Sequence, residues 1–217
     1  MRYEYFALDI DGTIFSSEEI IYPTYKEAID RYNATQGGSL ECPVRERIML
    51  EIGKPVKKIF ENLFPLLPET GRDTLSDSVL DILCERISHG EGEYYPAVSA
   101  TIEAIAARGG KILVASNGRR RYIEAILDYC KVLGYVVHPT YIDGVKIKSK
   151  NDIMLSYAAI GIPVAKMLMV GDRLSDFEAA RAVRCDFAWC EYGHAPIGEI
   201  NEFEIKLTAF SDLIQYA

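Results

Sequence analysis

Apolar and polar positions follow two different rhythms along the 217 residues of the chain. Tyr5-Phe6-Ala7-Leu8 is an apolar run with neither a helical stripe nor polar alternation, the pattern of a strand buried on both faces. From Ser16 to Gly92 the pattern changes to helical spacing, with no convincing strand. Ser16 and Glu19 have capping-box spacing, and Ser17 is a second candidate cap. That helix is expected to reach Tyr32, kinked or restarted at Pro23, where Thr24 and Glu27 repeat the capping spacing. Asn33 to Pro43 reads as a loop around Gly37-Gly38-Ser39. Pro43 and Pro55 suit the first turns of short helices ending near Gly53 and Phe64. Leu75, Val79, Ile82, Leu83 and Ile87 then recur at helical spacing between Thr74 and Ile87.

Strand and helix alternate from there on. Helices are predicted over 97–108, 119–131, 150–160 and 175–183. Apolar strands are predicted at Lys111–Ala115, Lys166–Val170 and Phe187–Cys190, the last of the chain, with a looser strand and loop region over Gly134–Ile142. Strands separated by helices of this length make right-handed βαβ units and a parallel sheet. The predicted fold is therefore α/β: a Rossmann-like parallel sheet flanked by helices, interrupted after its first strand by an all-α insert. The division is residues 1–15 and 93–217 for the core, and 16–92 for the insert.

Composition narrows the function. Hydrophobic residues make up 49% and charged residues 26%, as in ordinary globular proteins, so a sizeable core is expected. The formal charge of −8 argues against a nucleic-acid partner, which needs a basic surface. No apolar run approaches a membrane span, and no signal peptide is evident, so no membrane partner and a cytoplasmic location are expected. The five cysteines are scattered without a CxxC pair, which fits reduced thiols.

The carboxyl ends of the strands carry the chemistry, because ligands of an open parallel sheet sit outside them. The first strand stops on Asp9 and Asp11, with Gly12 allowing an immediate turn. Period-two geometry would send both carboxylates to one side, a costly pair unless a cation or a shared proton relieves it. The second strand stops on Ser116 and Asn117; Asp172 ends a later one, with Asp176 shortly after. Asp9, Asp11 and Asp172 are hard oxygen ligands suited to Mg²⁺. Ser116, the amides of Asn117 and Gly118, and a lysine from Lys148 or Lys150 are donors for phosphate oxygens, aided by the start of the following helix. This combination is what phosphoryl transfer through an aspartyl-phosphate needs.

The chain resembles the haloacid dehalogenase superfamily of phosphatases. Asp9-Ile10-Asp11-Gly12-Thr13 matches its first motif, Val114-Ala115-Ser116-Asn117-Gly118 its second, Lys150 its third and Gly171-Asp172-Arg173-Leu174-Ser175-Asp176 its fourth. The helical insert resembles the cap of the phosphoglycolate phosphatase and β-phosphoglucomutase branch. Tyr95-Pro96-Ala97 resembles that branch's re-entry segment, with Ala97 where glycine is usual. The resemblance implies a Mg²⁺-dependent hydrolase of a small phosphorylated metabolite, working as a monomer or homodimer. Asp9 would be the nucleophile and Asp11 the general acid and base, its carbonyl also a metal ligand beside the Asp9 and Asp172 carboxylates. Ser116, Asn117 and Lys150 would hold the phosphoryl group, with Asp176 and Thr13 in support. A phosphomutase, or a non-catalytic binding protein on the same fold, is the alternative.

Other residues have a plainer reading. Arg119-Arg120-Arg121 point in different directions on a helix, so most of the cluster is expected in solvent, with Arg119 the best placed to reach substrate. Arg173 is expected as a structural ion-pair partner, and His194 as an exposed loop histidine near the site's edge. Tyr22 and Tyr25 are the insert's candidates for facing substrate.

Overall fold

Five parallel strands in the order β4-β1-β5-β6-β7 form the central sheet of the computed structural model, which describes residues 2–217. They are β1 (Tyr5–Leu8), β4 (Lys111–Val114), β5 (Met167–Gly171), β6 (Asp186–Cys190) and β7 (Ile205–Leu207). Alternate residues feed two separate apolar cores. Phe6, Leu8, Ile112, Val114, Leu168 and Val170 belong to one; Ala7, Leu113, Met167 and Met169 belong to the other. Burial on both faces explains why these strands read as unbroken apolar runs. Helices α5 (Val98–Ala107) and α6 (Arg120–Tyr129) contribute to the first core, α7 (Lys150–Ala159) and α8 (Leu174–Val183) to the second.

Between β1 and β4 the chain adds a two-stranded antiparallel ribbon, β2 (Phe15–Ser16) with β3 (Glu93–Tyr94). Four helices lie between the two ribbon strands: α1 (Glu18–Gln36), α2 (Arg45–Met49), α3 (Val56–Leu63) and α4 (Glu69–Ser88). The ribbon corrects the expectation that helix begins at Ser16. Ser16 is a strand residue, and Ser17 precedes the helix without bonding its backbone, because its hydroxyl is spent on Asp11. Nor does α1 restart at Pro23. Pro23 lies inside α1, past its first turn, where it costs the bond to the Glu19 carbonyl, and the buried face of Ile20, Ile21, Tyr25, Ala28 and Ile29 carries the helix through. Thr24 turns its hydroxyl back to the Ile20 carbonyl at 2.7 Å rather than capping a new helix.

Three further expectations change. Helix α4 starts at Glu69, behind Pro68, one turn before its apolar stripe. The 134–142 region forms no strand; it holds a short 3-10 turn at Leu133–Tyr135 and one bridge from Val136 to Ile112. The sheet also continues past β6 into β7, whose two buried residues flank an exposed lysine. Ala97 enters α5 with φ +62°, the left-handed region that favours glycine.

Because β1, β4 and β5 are parallel and register-matched (Leu8 against Val114 on one side and Val170 on the other), their carboxyl ends open on one edge. Asp9, one residue past Leu8, and Ser116 and Asp172, two residues past Val114 and Val170, are brought together there by topology alone.

Candidate active site

Asp9 leaves the end of β1 nearly fully buried. Its backbone N–H still donates to the Val170 carbonyl at 2.9 Å, so the carboxylate is aimed by the sheet. One oxygen, Oδ1, lies 3.0 Å from Lys150 Nζ. The other, Oδ2, is buried with no hydrogen-bond partner among the described residues.

Lys150 is fully buried and also pairs with Asp176 Oδ1. Burial by itself would lower its basicity, but Asp176 and Asp9 outweigh that and hold the ammonium above the ordinary lysine value. Its position comes from the start of α7. Ser149 and Asp152 form a reciprocal capping box, and the Lys150 N–H donates to Asn117 Oδ1 at 3.1 Å. Lys148, the alternative lysine, is exposed and has no contact with Asp9. The lysine the fold brings to the aspartates is therefore Lys150.

Asp11 does not extend β1. The strand ends at Leu8, and Gly12, at φ +74°, turns the chain so that its N–H donates to Phe15 at 2.9 Å. The Asp11 carboxylate points to a hydroxyl pair: Ser17 Oγ donates to Oδ1 at 2.8 Å and Tyr122 Oη donates to the same oxygen at 2.7 Å. Burial raises its pKa to about 6, although the two hydroxyls pull it down. Neither Ser17 nor Tyr122 stands out in the sequence as a site residue. Ser17 reads as a cap, and Tyr122 as packing on a helix whose docking position only the fold supplies.

Asp172 is fully buried at the end of β5. Its Oδ2 accepts the His194 backbone N–H at 2.6 Å, and its Oδ1 has no partner among the described residues. Burial first, then Asp176 and Asp9, push its carboxyl well above the usual range. Two glycines make room for it. A Cβ on Gly12 would collide with the carboxylate, and one on Gly193 with the Asp172 Cβ and the Gly12 carbonyl. His194 is half-buried rather than exposed, and it is the backbone N–H that reaches the site.

Asp9, Asp172 and Asp176 offer oxygens within 4.8 Å of one another. Both Asp176 oxygens are committed, one to Lys150 and one to the Arg173 N–H. The open positions are thus Asp9 Oδ2 and Asp172 Oδ1. No backbone N–H of a described residue donates to the Asp11 carbonyl, a third free oxygen near this edge. An all-oxygen set with two orphaned buried carboxylate oxygens fits a hard divalent cation.

The remaining predicted residues divide. Ser116 is buried at the end of β4, its Oγ accepting the Gly118 N–H at 3.2 Å. The Asn117 side chain is taken up structurally: besides receiving Lys150, it donates to the Gly53 carbonyl at 2.8 Å, tying the insert to the site edge. Thr13 is buried beneath the turn, its carbonyl accepting from the Tyr192 hydroxyl at 2.9 Å. Arg119 and Arg121 pair across to α4, with Asp77 at 2.6 Å and Asp81 at 2.7 Å. Arg173 pairs with Glu199 at 2.8 Å and donates to the Ile52 carbonyl. Asp9, Asp11, Ser116 and Tyr122 line a cavity shared with α1 to α4; counting space open to solvent it measures about 720 Å³.

Comparison with known proteins agrees with this arrangement. The model of the haloacid dehalogenase-like hydrolases matches residues 3–184. A phosphoglycolate phosphatase of Aquifex aeolicus is 24% identical, with 95% of this chain and 93% of that protein aligned. A predicted phosphoglycolate phosphatase of Haemophilus somnus superposes with a TM-score of 0.84 at 19% identity, covering 99% and 98% of the two chains. CbbY from Rhodobacter sphaeroides, solved in complex with phosphate, superposes with a TM-score of 0.78 at 18% identity over 97% and 96%. A match over most of the chain, on a sheet whose edge gathers Asp9, Ser116, Lys150 and Asp172, means that this protein belongs to the haloacid dehalogenase-like hydrolase family.

Proposed function

We propose that the protein is a Mg²⁺-dependent phosphatase that hydrolyses a small phosphomonoester through an aspartyl-phosphate on Asp9. The observation that carries this reading is the state of Asp9: buried, one oxygen held by Lys150 and the other unpartnered, on the wall of the cavity. A carboxylate so held is oriented by Lys150, with one oxygen left free of protein hydrogen bonds at the cavity. The phosphoglycolate phosphatase relatives and the phosphate-bound CbbY neighbour support a small phosphorylated substrate.

In the first step the Asp9 carboxylate attacks phosphorus, and the P–O bond to the alcohol breaks. Asp11, protonated below about pH 6, gives its proton to the departing oxygen. In the second step the Asp11 carboxylate takes a proton from water as that water attacks phosphorus, returning free Asp9 and inorganic phosphate. A carboxyl poised near neutrality can serve in both directions. Lys150 and Ser116 balance the charge of the transferring group, and Asp176 holds Lys150 in line. Mg²⁺, bound by Asp9, Asp172 and the Asp11 carbonyl, would add positive charge beside the phosphoryl oxygens.

Residues 16–92 act as a cap over the core of 1–15 and 93–217, limiting water and substrate size. The five cysteines are all free thiols, which fits the reducing cytoplasm. No helix among the described residues is long and apolar enough to cross a membrane.

The test is phosphate release from phosphoglycolate, sugar phosphates and p-nitrophenyl phosphate, with Mg²⁺ and with chelator. Release is expected only with Mg²⁺ and is expected to vanish in Asp9→Asn. Turnover that persists in that variant, or ignores chelator, overturns the mechanism.

A further inference from the structure

The cavity has two unlike walls. One is the sheet edge with Asp9, Asp11 and Ser116; the other is built by the helices between β2 and β3. That second wall is made mainly of Ile21, Tyr25, Ile48, Phe60, Leu80 and Leu83. Tyr25 and Phe60 stack at 5.7 Å between centroids, giving the wall an aromatic floor. Two cations reach the cavity from outside the phosphate end, and both are already spent. Lys54 Nζ lies 2.9 Å from Glu51, and Arg119 lies 2.6 Å from Asp77.

A carboxylate or polyol carried into such a wall would lose water without finding a free cation or a set of hydroxyl partners. An apolar group would lose nothing and would gain contact along the whole wall. Polar groups on this side are few, chiefly the Tyr25 hydroxyl and Ser76.

We infer that the alcohol released by this enzyme is apolar, so that the substrate is the phosphate monoester of an aromatic or branched aliphatic alcohol without a second charge. The inference rests on the phosphatase reading and names the substrate class of that same site. It departs from what the names of the relatives would suggest, since the two cations that reach this cavity, Lys54 and Arg119, are already paired with Glu51 and Asp77.

The test compares kcat/KM for benzyl phosphate and 2-phenylethyl phosphate with that for phosphoglycolate and glucose 6-phosphate. At least about a tenfold preference for the two arylalkyl esters is expected, mostly through KM, in line with what a few buried carbons contribute to discrimination. Ile59→Gln, at a half-buried position of the same wall, is expected to shrink that preference by about threefold or more. Equal rates, or a preference for phosphoglycolate or glucose 6-phosphate, overturn the inference and leave the phosphatase reading standing. If no ester releases phosphate, the phosphatase reading fails, and binding decides the wall's preference by itself. Benzylphosphonate binding more tightly than phosphonoacetate in calorimetry then supports an apolar wall, and the reverse order, or equal affinity, overturns it.

Discussion

The Tyr122 hydroxyl donates to Asp11 Oδ1 at 2.7 Å, and this bond joins the second motif's helix to the first motif's acid. A hydroxyl donor favours the charged carboxylate, so it draws the Asp11 pKa down from the value burial alone would set. In Tyr122→Phe the charged form loses that support and the pKa rises. The fall of kcat/KM with increasing pH, expected near the Asp11 value of about 6, is then expected to move to higher pH. Initial rates across a pH series check it; an unmoved limb would mean that a different group titrates.

Lys150 stands between two buried carboxylates, so removing it leaves both without a counter-charge. Lys150→Ala is expected to abolish turnover and to cost about 3–5 kcal/mol of stability in denaturant unfolding. Lys148→Ala is expected to keep most of both, because that side chain is exposed. The folded state raises the Lys150 pKa, so its contribution is complete below the ordinary lysine value of 10.5 and is lost as pH climbs through the folded value. Wild-type protein should therefore lose this increment only in strong alkali.

Asp172 and Asp176 are both held above the usual carboxylate range, burial being the largest cause. Their folded forms bind protons more tightly than the unfolded chain does, so stability falls as pH rises from the ordinary value of 3.8 through the raised ones. A cation at Asp9 and Asp172 relieves that cost. The gain in Tm with Mg²⁺ over chelator is expected to be small at about pH 5 and to grow toward about pH 8. Asp172→Asn keeps an acceptor for His194, removes the charge, and is expected to be more stable in chelator by about 1–3 kcal/mol with little Mg²⁺ response. Scanning calorimetry of the two proteins, with and without the ion, reads all of this.

Ala97 adopts φ +62°, in the left-handed region that favours glycine. An L-residue with a Cβ costs roughly 1–2 kcal/mol in that region, and glycine's looser unfolded chain returns part of the difference. Ala97→Gly is expected to gain about 0.5–1 kcal/mol in equilibrium unfolding, with turnover unchanged.

The apolar runs at Tyr5–Leu8, Lys111–Val114 and Met167–Gly171 were legible as strands because each is buried on both faces, which leaves no polar position to blur the pattern. Their order also made the site legible, since parallel strands must deliver Asp9, Ser116 and Asp172 to one edge. The two-residue strands β2 and β3 were not legible, because elements that short hold no period. β7 was missed for a similar reason: three residues with one exposed lysine look like any loop.

Sequence by itself thus determined four of the five sheet strands, which side chains gather at their edge, and the family, all of which depend on local pattern and on strand direction. Tertiary structure alone decided which lysine meets Asp9, which hydroxyls hold Asp11, and that the wall facing them is apolar. Those outcomes depend on how α1 to α4, α6 and α7 dock, and docking is set by contacts between residues tens of positions apart. Ser17, Tyr122 and Leu83 look ordinary along the chain; what they do follows from what lies across the cavity from them.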